Sequence, residues 1–156
     1  MTKRLLAFIV VGFFLTIAHF EAHAQSQAKP AAKKTVLWSA GELKWQAVQN
    51  VQGVQRAVLA GNPDKGPHRA MIKFAAGTEV PLHTHTADDW GAVISGTLVI
   101  GIEGHAPKEL GPGSYFLTPG GVKHTTKCKA GSDCVFYSQF VGAFDLKPAE
   151  PTAGKK

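Results

Sequence analysis

The apolar residues of this chain come in short runs, each closed by a turn residue, and that pattern restricts the fold more than any other feature. The run at 69–74 gives way to Gly77, the run at 90–94 to Ser95-Gly96, and the run at 97–102 to Glu103-Gly104. The run at 114–118 stops at Pro119-Gly120-Gly121, and the run at 134–141 at Gly142. β-Branched and aromatic residues are prominent in these runs, as expected of half-buried strands. Residues 48–59 score as a helix or as two strands, and their β-branched content and Gly53 favour strands. No amphipathic helix is legible between 35 and 146. Closely spaced short strands predict an all-β sandwich or barrel.

The N-terminus reads differently. Lys3 and Arg4 precede an apolar stretch over 5–17, and Ala22-His23-Ala24 follows. A basic start, an apolar centre and a small-x-small site together read as a secretory signal peptide over 1–24, cleaved after Ala24. The apolar stretch is short for a membrane span of about 20 residues, so no membrane association is expected after cleavage. A periplasmic or secreted location follows. Residues 25–34, rich in Ala, Lys, Gln and Pro, read as a linker, and 147–156, with Pro148, Pro151 and Gly154, as a disordered tail. The folded unit is then 35–146, one domain's worth of chain. The formal net charge is +6, but Lys29, Lys33, Lys34, Lys155 and Lys156 lie at the ends. No basic stripe interleaved with aromatics appears, which argues against nucleic acid as a partner.

Two cysteines, Cys128 and Cys134, complete the inventory. In an exported protein an even count favours a disulfide, here clamping a turn like a hairpin. The ring is small, so the stabilisation is about 2 kcal/mol. The alternative is a reduced pair, with Cys128 beside a pocket as a soft or redox-active thiol.

Three of the seven histidines form a constellation. On an extended chain, successive side chains alternate between faces, so His83 and His85 project to the same side. Two imidazoles at that spacing can converge on one ion. His124 follows the Pro-Gly-Gly turn on a different strand and could supply a third nitrogen. Imidazole suits Zn, Cu, Fe and Ni, and three such ligands leave positions open for water or substrate. His68 and His105 stand outside this set; His105 sits in a Gly-His-Ala-Pro turn and is expected to be exposed.

The arrangement resembles the cupin superfamily. Gly77, His83, His85 and Gly96 fall on the positions of that family's first motif, with Asp89 where Glu is usual. Gly113, Pro119, Gly121 and His124 match the second, with Cys128 in place of Asn. Sixteen residues separate Gly96 from Gly113, a compact inter-motif spacing. The resemblance implies a cupin double-stranded β-helix, a jelly-roll barrel with one divalent metal inside. It implies His83, His85 and His124 as ligands.

Asp89 is a fourth candidate, binding directly or through a water or a ligand imidazole. Asp88, of opposite parity, is expected to face solvent. Three-His cupins include iron dioxygenases, so an iron dioxygenase acting on a small organic substrate is the leading enzymatic expectation, with Fe as the metal and Mn, Zn or Ni as alternatives. Asp89 or Tyr137 would handle protons. Met71, Phe116, Phe136 and Phe140 are candidates for an apolar substrate pocket, or simply core. The other readings are a non-catalytic module that binds or senses a small ligand, and a non-redox metal-dependent isomerase, cyclase or lyase. Trp90, opposite in parity to the histidines, is placed on the outer face or at a homodimer interface. Because ligating imidazoles must be neutral, metal release is expected as pH falls through about 6.

Overall fold

The computed structural model describes residues 34–152. The expected signal peptide, and all of the expected linker but its last residue, lie outside the described residues. Contacts divide the chain between Val36 and Leu37, and every element below belongs to the unit that starts at Leu37.

Eleven strands form two antiparallel sheets, and the one helical element among the described residues is a short 3-10 turn, Ala40–Glu42. The strands are β1 (Gln46–Ala47), β2 (Val54–Gly61), β3 (His68–Phe74), β4 (Glu79–Thr84), β5 (Asp89–Ser95) and β6 (Leu98–Ile102). They continue as β7 (Lys108–Leu110), β8 (Tyr115–Thr118), β9 (His124–Cys128), β10 (Cys134–Phe140) and β11 (Lys147–Pro148). One sheet runs β1-β2-β3-β10-β5-β8 and the other β11-β4-β9-β6-β7. This is the all-β arrangement that the strand pattern predicts and the jelly roll that the cupin resemblance implies.

Alternation decides what faces inward. On β10, Cys134, Phe136, Ser138 and Phe140 are buried while Val135, Tyr137 and Gln139 are only partly covered. The core draws on both sheets: Phe74, Val93 and Phe136 from one, Val80, Leu98, Ile100 and Leu110 from the other. Leu98 is fully buried, and truncating such a side chain to Ala typically costs about 2–5 kcal/mol.

Turns sit where the glycines predict them. Gly96, between β5 and β6, has φ +74°. A Cβ there would also lie 2.6 Å from the Asp133 carbonyl oxygen, so both conformation and space require glycine.

Two expectations need correction. Cys128 and Cys134 are bridged, but β9 and β10 lie in different sheets. The disulfide therefore ties sheet to sheet and does not clamp a hairpin. The expected tail at 147–156 begins as structure: β11 pairs with β4, and the Ala149 amide donates to the Leu82 carbonyl. Proline lacks an N–H, which an edge strand tolerates, so Pro148 did not preclude pairing.

Candidate metal centre

β4 carries His83, with His85 one residue past its end, and a bulge sets their direction. Register against β9 slips between Val80 and His83, so both of these residues turn inward although they are three apart. Beyond the bulge, alternation brings His85 in as well. His83 is the register partner of His124 on β9, which opposes the two rings across neighbouring strands. Their centroids are 4.2 Å apart, and those of His83 and His85 are 4.9 Å apart. One ring nitrogen from each residue lies within 4.8 Å of the others.

The rings are held in a common way. His83 Nδ1 is 2.7 Å from the Pro81 carbonyl oxygen and His124 Nδ1 is 2.9 Å from that of Val122. His85 Nδ1 meets the carbonyl of Asp145. A carbonyl can only accept, so each Nδ1 carries the proton and each neutral ring is left with an unprotonated Nε2. That is how ligating imidazoles are oriented by the groups behind them. All three are nearly inaccessible to solvent, and burial lowers their proton affinity. His83 is lowered to about 4, by burial first and then by the neighbouring His124, against the pull of the Pro81 carbonyl. His85 and His124 are lowered by burial too, opposed by their own carbonyl partners. Three neutral, anchored imidazoles converging in the interior are a donor set that fits a divalent transition metal.

Asp89 is not among the donors within 4.8 Å of one another. It lines the same cavity, and its Oδ1 accepts a 2.6 Å hydrogen bond from the Ser138 hydroxyl. Burial raises its carboxyl to about 7, against the lowering effect of Ser138. Asp88 does not simply face solvent: its carboxylate accepts the Gly120 amide at 2.7 Å and so staples the turn that precedes His124.

The cavity measures about 70 Å³, enough for several waters or a small organic group, since one water needs about 10–15 Å³. Phe116, Phe136 and Phe140 line it as expected, with Thr118, Thr126 and Ser138 among its polar groups. Met71 and Tyr137 do not. They are register partners on the opposite face of the sheet, and the Tyr137 hydroxyl donates to Gln139. Phe136 and Tyr137 are adjacent on one strand, so they cannot both point inward; Tyr137 is thereby removed from proton handling. On β3 it is Ile72, and not Met71, that reaches the cavity. Trp90 is partly exposed and pairs with Gln139 and Leu117, on the face away from the histidines. His105 is exposed. His68 is buried, with Nδ1 near the Gly66 and Gly142 carbonyls and its ring stacked on Phe140.

Sequence reasoning missed Ser138, Phe144 and Asp145. The parity of Ser138 with Phe136 and Phe140 could have revealed it. Asp145 stands between β10 and β11, and no pattern marks it.

Among curated proteins, a segment of 57 residues is 33% identical to the dimethylsulfoniopropionate lyase DddQ of Ruegeria pomeroyi, covering 36% of this chain and 28% of the lyase. Among solved structures, KdgF from Halomonas sp. superposes with a TM-score of 0.56 at 26% identity, over 69% of this chain and 94% of that one. The polyketide cyclase RemF from Streptomyces resistomycificus superposes with a TM-score of 0.65 at 16% identity, over 76% of this chain and 88% of that one. Residues 33–142 match the family described as the ChrR cupin-like domain, and because that match takes in both histidine motifs and most of the barrel, this chain belongs to that cupin family.

Proposed function

We propose that the protein is a metal-dependent enzyme of the non-redox kind, a lyase or cyclase, that moves a proton on a small organic substrate bearing a carbonyl or carboxylate group. The observation that carries this reading is the Asp89 carboxyl, which shares the cavity wall with the three histidines and is raised to about 7. A divalent ion held by three neutral imidazoles would keep its full charge and polarise a substrate carbonyl. A carboxyl that titrates near neutrality, fixed by Ser138, is suited to take a proton from the adjacent carbon and return it elsewhere. The apolar lining excludes water around that exchange. The DddQ match, to a protein named as a lyase, supports the same class. The iron dioxygenase expectation draws no specific support from the comparisons.

Fe, Zn, Ni and Cu all suit the three-imidazole donor set, and elemental analysis of the protein from its native compartment identifies the resident ion. We place that compartment in the periplasm or outside the cell, on the signal-like N-terminus and the Cys128–Cys134 bridge. Homodimer formation through a sheet face belongs to the same proposal.

The test is turnover with oxygen excluded, beginning with dimethylsulfoniopropionate and other small carboxylates bearing a leaving group. The metal-loaded protein is expected to work anaerobically, and Asp89→Asn to lose about 10²–10⁴-fold in rate. Turnover that needs dioxygen, or that ignores Asp89→Asn, would sink the reading.

A further inference from the structure

His83 and His124 are anchored locally, each by the carbonyl two residues before it. His85 differs. Its anchor, the Asp145 carbonyl, is 60 residues away in sequence, beyond the last strand of the larger sheet. That distant segment is itself tied down at several points. The Asp145 carboxylate accepts from both the amide and the hydroxyl of Thr86. Lys147 Nζ lies 3.2 Å from the same carboxylate and donates to the Thr86 hydroxyl at 2.7 Å. Lys147 and Pro148 pair with Thr84 and His83. Farther on, Lys123 Nζ donates to the Glu150 carbonyl at 2.7 Å and to the Thr152 hydroxyl at 2.9 Å.

One stretch of chain thus touches His85 directly, His83 by pairing, and His124 through its neighbour Lys123. We infer that residues 145–152 are a clasp belonging to the metal centre, and that Asp145 is a positioning residue that sets the tautomer and aim of His85. The Thr86–Asp145 staple fixes where the carbonyl stands. Without it the imidazole can rotate and place its proton on either nitrogen, so the third donor is no longer prepared in advance. The inference rests on the metal-binding reading above.

Co(II) serves as the probe, because its visible spectrum reports ligand geometry and its affinity is measured by competition, both independent of turnover. In the full-length chain, Asp145→Ala is expected to weaken Co(II) binding by about 10–100-fold and to alter the spectrum. Asp145→Asn, whose amide oxygen still accepts from Thr86, is expected to recover part of the loss. Should Asp145→Ala fail to fold, Thr86→Val removes one arm of the staple and is expected to shift affinity in the same direction. Variants that melt lower without Co(II), yet bind it with wild-type affinity and spectrum, would show a purely structural segment and overturn the inference. Wild-type uptake with unaffected variants overturns the clasp alone, whereas no uptake by the wild type overturns the metal reading with it.

Discussion

Asp89 brings a carboxyl into an apolar interior, and the energetic consequence has a definite sign. Its folded proton affinity is raised from 3.8 to about 7. Between those values the folded state binds more protons than the unfolded one, so this residue's contribution to stability falls as pH rises from about 4 to 7. The metal-free Asp89→Asn protein should therefore be more stable than wild type at pH 8, by on the order of 2–4 kcal/mol, and the advantage should vanish near pH 4. Denaturant unfolding at the two pH values checks this, and an equal or lower stability at pH 8 would contradict it.

The histidines run the other way. His83 falls from 6.5 to about 4, so the unfolded chain takes up protons first, and metal-free stability is lost as pH drops from about 6.5 toward 4. For the same reason the protein should keep its metal to lower pH than the value near 6 expected for free imidazoles. A pH titration of bound metal checks it, with half-release between about 4 and 5 expected. At this scale the sequence was legible wherever a spacing dictated a face: His83 and His85 at alternate positions needed nothing more. Tyr137 and Met71 were misplaced because alternation relates neighbours to each other without saying which parity faces in. Phe136 and Ile72 held the inward positions.

At the level of elements, the bridge between Cys128 and Cys134 joins the end of β9 to the start of β10, one in each sheet. Both sulfurs are wholly buried. Reduction under native conditions should cost about 2 kcal/mol, read as a lower denaturant midpoint, and no change would mean the sheets hold together without it. The Pro119-Gly120-Gly121 turn is packed as tightly. A Cβ on Gly120 would lie 2.3 Å from the Thr86 carbonyl oxygen, beside the staple that positions His85. Gly120→Ala should therefore displace two histidine-bearing segments at once and weaken metal binding, measured by competition with a chelator. The strand boundaries were readable because glycine and proline mark them. β11 was not, since a two-residue edge strand made of Lys147 and Pro148 looks like tail until its partner is known.

For the whole molecule, two sheets bury one core, and three inward imidazoles and one carboxyl line a cavity within it. The all-β class was legible in the short runs closed by turn residues, and the cupin barrel in the resemblance that both motifs carry. The segment that returns along β4 to hold His85 was not, because nothing local in sequence records a contact across 60 residues. A ligand that binds only the folded state stabilises it by mass action, about 4 kcal/mol at a thousandfold excess over the dissociation constant. Loading with a divalent metal should thus raise the melting temperature, and a chelator should return it to the metal-free value. His83→Ala should abolish the shift.

The metal centre requires three ring nitrogens to meet at one ion, and X-ray absorption at the edge of the bound metal examines that directly. Three imidazole nitrogens at about 2.0–2.1 Å, in the range known for zinc–histidine bonds, are the predicted first shell, reduced to two in His124→Ala. A spectrum with fewer imidazoles in the wild type, or one unchanged by His124→Ala, would contradict it.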